Sequence, residues 1–409
     1  MSETKPGTIY EDGRLEELLD QGVDGTSSVG LATGQQESTS TGAASTGDVY
    51  FADFDHIAHK NTMSVGERLQ EFVLEAKLAD ELGFDYYFTA EHHFSQDFSL
   101  SPSQAVTNTI LAQETERIRF GPMTIILPIA NPLRIAEEFT IIDHLSGGRL
   151  EIGVGRGVVF HELATYGRRN ADGPALFREN LEMMLKCWTN EENFSWNGVY
   201  HQFFDIEMPW KPLQQPHPRI WIPTATADNA EEWGRRGYGV AGFSWLGIEM
   251  HKAIFEAYQE GWQECGLPVE EQRMGYLSSY VVADTDAEAE KLAKEHFPEQ
   301  VALFEYEEGR SHWFADTGLK RVYSGLLKLF ASIKDVDNVS GPARMIVHGS
   351  PETITEKMMT LHEAFPINTY MAEFSFGLMP WETVKHSMEL FSSEVMPRVR
   401  DAHGAAVVT

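Results

Sequence analysis

The chain has 409 residues, 42% of them apolar and 23% charged, a globular composition that excludes a wholly disordered, collagenous or coiled-coil protein. Its net charge of −30 excludes general nucleic-acid binding and argues against an anionic membrane as main partner, because like charges repel. Two cysteines, Cys187 and Cys265, allow neither a disulfide framework nor a zinc-ligand pattern, no apolar run is long enough to span a membrane, and the N-terminus shows no signal-peptide pattern. A cytoplasmic chain without a metal site is the expectation.

Residues 1–46 stand apart. Gly22 to Gly47 is mostly Gly, Ser, Thr, Ala and Gln, which predicts a flexible arm. Residues 47–409 form one domain with a strand–helix rhythm. Val49 to Phe54 reads as a strand, and Val65 to Leu82 as a helix stopped by Gly83. Phe84–Ala90 is a strand, Pro102–Glu114 a helix, Ile118–Leu127 a strand, Pro132–Leu145 a helix and Leu150–Val154 a strand. The pattern resumes with a helix at Phe177–Trp188, a strand at Arg219–Pro223, a helix at Asp228–Arg236, a strand at Val240–Phe243 and a helix at Glu249–Cys265. Gly275–Val282 is a strand, Glu288 to about Phe330 is largely helical and irregular, Pro351–Ala364 is a helix, Thr369–Phe374 a strand and Pro380–Val399 the last helix. Alternation at about 30 to 35 residues per unit means parallel strands joined by crossover helices. Eight such strands predict a closed (β/α)8 TIM barrel, with insertions at Phe194–Pro218 after the fourth strand and roughly Lys294–Met345 after the seventh.

In such a barrel the C-terminal strand ends carry chemistry. Glu91-His92-His93-Phe94 follows the second strand. Neutral His is an acid or base near pH 7, although a capping cluster explains the segment equally well. Gly153-Val154-Gly155-Arg156-Gly157 follows the fourth strand. Its glycines allow backbone amides near an anion and Arg156 can hold a phosphate, or the run is a tight rim turn; the GxGxG spacing does not match a dinucleotide fingerprint, and Phe160-His161-Glu162 opens no capped helix. Thr224 to Asn229, after the fifth strand, is an anion cradle or an ordinary N-cap at Thr226 or Asp228. Phe243-Ser244-Trp245, after the sixth, offers an aromatic that stacks on a planar ring or sits in the core.

Together these segments resemble the bacterial luciferase-like flavin-dependent monooxygenases, in character the luciferase alpha subunit. The resemblance runs from about Tyr50 to Arg400. It is carried by GFDYYFTAEHHF (83–94), ILPIANPLRIAEEFTIIDHLSGGRLEIGVGRG (126–157), IPTATADNAEEWGRRGY (222–238) and ELFSSEVMPRVR (389–400). It implies a barrel that takes reduced FMN (FMNH2) and O2, forms a C4a-peroxyflavin and oxygenates an aldehyde, ketone or similar small molecule. It also implies a separate flavin reductase and a homodimer formed through helices near the second and third strands. Position by position, His92 matches the catalytic histidine, Arg156 and Arg178 match phosphate-side arginines, and Thr226, Ala227 and Asn229 match the phosphate turn. Met123-Thr124 matches a non-prolyl cis peptide under the isoalloxazine. Gly155 stands where luciferase has a reactive cysteine, and Trp245 stands at the mouth beside the flavin. Two other readings share the barrel: an F420-dependent dehydrogenase, and a non-catalytic flavin-binding subunit, which the presence of His92 and Arg156 disfavours.

Overall fold

The computed structural model describes residues 48–407 apart from 60–61, 96, 169–172, 245–247, 315–335, 337–339 and 342–343. The expected arm at 1–46 and Trp245 lie outside the described residues.

Eight positions of parallel strand close a barrel. β1 (Tyr50–Asp55), β2 (Tyr86–Thr89) and β3 (Arg119–Pro122) run in sequence, with Ala52 opposite Tyr86 and Tyr86 opposite Arg119. β3 continues into the short β4 (Ile125–Ile126) across the cis Met123–Thr124 bond, at the position the family resemblance implied. β5 (Glu151–Gly155) pairs with β4, and a bridge from Phe120 to Leu150 joins it to β3. β8 (Arg219–Pro223), β9 (Gly239–Phe243), β10 (Met274–Val282) and β12 (Thr369–Glu373) follow, and β12 returns to β1 with Tyr50 opposite Thr369. The expected (β/α)8 barrel is therefore the observed architecture.

Helix ends follow local chemistry. α1 (Val65–Leu82) begins at a capping box in which Ser64 and Glu67 satisfy each other's amides, and ends at Gly83, whose φ of 81° is open to glycine at little cost. α2 (Gln104–Glu114) precedes β3. α3 (Pro132–Leu145) starts with Asn131 as cap and proline in its first turn, where no amide is lost. α6 (Ala227–Arg235), α7 (Ile248–Trp262) and α9 (Pro351–Ala364) cover the remaining strands. The main core lies between strands and helices. A smaller one fills the barrel with Ala52, Phe54, Tyr86, Phe88, Met123, Trp221 and Met371. All nine residues of β10 are buried, as expected of a strand covered on both faces.

Four features differ from the sequence expectation. A short helix, α4 (Phe160–Thr165), occupies a segment expected to open no capped helix; its N-cap is Val159 and makes no side-chain capping bond, so the helix forms without the usual signal. α5 (Gly173–Thr189) follows it, and the first insertion contains an antiparallel hairpin of β6 (Phe194–Asn197) and β7 (Gln202–Ile206). The second insertion begins as α8 (Asp286–Phe314), a single 29-residue helix, and ends in β11 (Ile346–Gly349), which pairs with the end of β10 outside the barrel ring. Four residues are too few for a period-2 pattern to be visible. The final helix is α10 (Trp381–Leu390), a π-helical turn (Phe391–Val395) and α11 (Met396–Val407).

Between α9 and α11, the rings of His362 and His403 lie 3.7 Å apart. Burial, then the neighbouring His362, pushes the His403 imidazole down to about 4. The folded chain thus keeps His403 neutral where the unfolded chain takes up a proton, near the ordinary value of about 6.5. This contribution to stability is complete above that value and is lost as the pH falls from about 6.5 to 4. Denaturation midpoints measured across this window should fall less steeply for His403→Leu than for the parent chain.

Candidate active site

Arg68, on α1, is fully buried, and its Nη2 donates to both oxygens of Asp55, at 2.8 and 2.9 Å. The same side chain donates from Nε to the Ala58 carbonyl and from Nη2 to Ser375 Oγ. Asp55 Oδ1 also accepts from Ile57 N, whose residue has φ of 53°. The end of β1 and the segment after β12 are thereby tied together, and each delivers a side chain to the mouth.

Those side chains are His56 and Glu373. His56 Nδ1 lies 2.6 Å from Glu373 Oε1, while Ser279 Oγ donates to Glu373 Oε2 at 2.9 Å. The contact uses Nδ1 of His56, and its Nε2 is left outside the pair. The His56 ring stacks on that of His92, with centroids 5.9 Å apart, between Phe54, Phe98 and Phe304. The sequence reading missed both members of this pair. One is a lone His after a strand and the other a Glu 317 positions away, so no local spacing links them.

His92 and His93 part company at the end of β2. His92 Nδ1 lies 3.1 Å from Glu162 Oε1, and the same oxygen accepts from His93 N at 2.7 Å. His93 is held at both ring nitrogens, by Glu91 Oε1 at 2.8 Å and by Tyr166 Oη at 3.1 Å. His92 therefore keeps Nε2 without a protein partner among the described residues, and His93 keeps neither nitrogen. Glu162 comes from α4, the helix without a capping signal, which is why it escaped sequence reading. Burial raises the Glu91 carboxyl above the usual range while its bond to His93 draws it back. Glu307 of α8 is likewise raised by burial; it accepts from Ser95 Oγ at 2.7 Å and so ties the second insertion over the mouth.

Arg156 follows β5 and is exposed, with no side-chain hydrogen bond or ion pair among the described residues. Just before it, a Cβ on Gly155 would stand 2.5 Å from Thr124 Oγ1, so only glycine permits this approach to the Met123–Thr124 turn. Thr226 caps α6 without bonding its amides, and Thr226 and Asn229 are exposed with Ala227 half-buried between them. First-turn N–H groups of α6 are thus open to an anion. Arg178 is placed differently. It forms a forked pair with Glu232, with Nη2 2.7 Å from Oε2, and lies over Trp233. The pair takes one N–H on each of Nη1 and Nη2, and the side chain is otherwise only half-buried. Met123 is buried in the barrel interior.

The description of luciferase-like monooxygenases as a family matches residues 49–366. The oxygenase component of the flavin-dependent trigonelline monooxygenase of Acinetobacter baylyi is 25% identical, covering 85% of this chain and 94% of its own. Among solved structures, the oxygenating constituent of 3,6-diketocamphane monooxygenase from Pseudomonas putida, a type II Baeyer–Villiger enzyme in complex with FMN, superposes with a TM-score of 0.69 at 23% identity over 86% of this chain and 99% of its own. An F420-dependent secondary alcohol dehydrogenase superposes with a TM-score of 0.64 at 16% identity over 87% of this chain and all of its own. At such identities the two structures speak for the fold alone.

His93→Ala should lower stability by about 1–3 kcal/mol, because it leaves the buried Glu91 without its partner. His92→Ala removes a ring that is bonded at one nitrogen only and should cost less. Chemical denaturation of the two variants side by side checks the order.

Proposed function

This chain belongs to the luciferase-like monooxygenase family, and from that premise we propose that it is the oxygenase of a two-component system. It takes FMNH2 from a separate flavin reductase, uses O2 and places one oxygen atom in a small organic substrate such as an aldehyde or ketone. The observation that carries this reading is the meeting at one barrel mouth of a carboxylate-held His92, an uncommitted Arg156 and the open N-terminus of α6.

The residues present fit FMN. Arg156 and the amides around Thr226, Ala227 and Asn229 supply a cation and donors for a phosphate, and Gly155 keeps side-chain bulk away from Thr124. FMNH2, when bound, supplies the two electrons needed to divide O2 between substrate and water. His92, oriented through Nδ1 by Glu162, offers Nε2 to take or return a proton. Phe98 and Phe304, packed 5.2 Å apart over His56, keep water from the site. His56, held by Glu373, gives a second imidazole within reach of a substrate.

An F420-dependent dehydrogenase is the second reading, favoured by the fold likeness to such an enzyme. A homodimer is supported by an exposed apolar face on α2 and α3, where Val106 is 62% and Ile141 54% exposed beside a groove lined by Ala105, Ile110 and Ile142. No described helix is long and apolar enough to cross a membrane. A cytoplasmic location fits this and the two free cysteines.

Turnover with FMN, a reductase and heavy-isotope O2 over a panel of aldehydes and cyclic ketones should give a labelled product. Reduction of F420 under nitrogen, with no oxygen incorporated, would replace this reading by the second. In the same assay, His92→Ala should lose about 10²- to 10⁴-fold in labelled product while flavin oxidation continues to hydrogen peroxide. Arg156→Ala should weaken FMNH2 binding by about 10- to 150-fold, the worth of a charge-assisted phosphate contact, and leave reduced riboflavin binding within a few-fold. Equal losses for both flavins would place Arg156 away from the phosphate.

A further inference from the structure

The opposite end of the barrel holds a cavity of about 850 Å³ that the proposed reaction does not use. Its wall is formed where strands begin. Tyr50 opens β1, Tyr86 β2, Arg119 β3 and Arg219 β8, while Arg273 immediately precedes β10. This end of an α/β barrel ordinarily serves stability. Here it gathers guanidinium groups in a chain whose net charge is −30.

Their partners do not balance them. Glu151 is fully buried and accepts from Arg119 Nε, from Trp221 Nε1 at 2.7 Å and, at 3.4 Å, from Arg219 Nη1. Arg119 uses four of its five N–H hydrogens within the chain, the other three bonds going to the Gly148 and Leu150 carbonyls and to Gln214 Oε1. Arg219 makes only the long contact to Glu151 among the described residues. Arg273 is 7% exposed and has no carboxylate within ion-pair distance among the described residues. It donates to Tyr86 Oη at 3.0 Å and to the carbonyls of Glu270 and Gln272, and lies 4.0 Å from the Tyr50 ring centroid. Neutral acceptors take three of its five N–H hydrogens and supply no counter-charge. Two acids in the wall are committed elsewhere: Asp80 accepts from the amides of Glu116, Arg117 and Ile118, and Asp85 from Phe51 N and Arg400. Glu271 is exposed.

We propose that this cavity is a second anion site, separate from the mouth, which takes the phosphate group of a small organic phosphate between Arg219 and Arg273. Two forked donors with surplus positive charge match the several oxygens of a dianion better than a single carboxylate does. The cavity exceeds the size of a phosphate ion, and Tyr50, Tyr238 and His217 leave a partly aromatic wall for the rest of the molecule.

The test uses flavin-free protein carrying Arg156→Ala, so that phosphate binding at the mouth is suppressed, with inorganic phosphate and phenyl phosphate as probes. Calorimetric titration at fixed ionic strength should show one site per chain, with phenyl phosphate binding more tightly than phosphate. Adding Arg219→Met should weaken that site by about 10-fold or more, and Arg273→Met likewise. Arg219 carries the variant least exposed to folding failure, because it holds one long contact, and thermal melts establish that each variant is folded. The proposal is overturned if no saturable site appears beyond what chloride displaces, or if folded Arg219→Met binds both probes as the parent does. The arginines would then be a structural network only.

Discussion

The buried pair between Arg68 and Asp55 is the constraint on which the mouth depends. Both side chains are fully excluded from water, so each charge is tolerated only because the other is held at hydrogen-bond distance. One guanidinium reaches the end of β1, the Ala58 carbonyl and Ser375 beyond β12, and so fixes two strand exits at once. His56 and Glu373 leave from those exits. Their 2.6 Å contact joins residues far apart in sequence and follows from the pair beneath it. Nearby, Asp53 is wholly buried; burial and then the Asp55 charge raise its carboxyl well above the usual range, whereas Asp55 is the carboxylate bonded to Arg68.

Above this foundation the mouth is organised by carboxylates that orient imidazoles. Glu162 holds His92, Glu91 holds His93 and Glu373 holds His56. In each pair the carboxylate makes a hydrogen bond with one ring nitrogen and so orients the other. For His93 the second nitrogen is taken by Tyr166, so the ring is a structural link. For His92 and His56 it has no partner among the described residues, which separates candidate proton carriers from scaffolding within a cluster of identical residues. The second insertion completes the enclosure through Phe304 and through Glu307, which accepts from Ser95.

Charge is distributed unevenly between the barrel ends. Among the described residues, the mouth combines buried carboxylates with Arg156, which has no ion pair there, whereas the opposite end gathers arginines around the buried Glu151 and Asp80. A chain with a net charge of −30 repels anions at long range, so a guanidinium here attracts an anion at short range, and more strongly where it is buried, as Arg273 is and the exposed Arg156 is not.

Much of this was legible along the chain, because strand–helix alternation, caps such as Ser64 and Asn131, and strand-end motifs are local properties. The barrel, the placement of His92 and Arg156 at its mouth, and the glycine at 155 all follow from patterns within a few dozen residues. What the sequence could not show is pairing. Arg178 matches a phosphate-side arginine of the family by position, and in the fold it is forked onto Glu232 from the next helix. Glu162 arrives on a helix with no capping signal, and α8 runs as one unbroken helix of 29 residues where a largely helical but irregular stretch was expected. The His56–Glu373 contact and the arginine-lined cavity bring together strand ends from distant parts of the chain. Local spacing thus determined which elements form and which ends carry chemistry. Only closure of the barrel decided which donor meets which acceptor, because hydrogen bonds and ion pairs act over a few ångströms of space, whatever the separation along the chain.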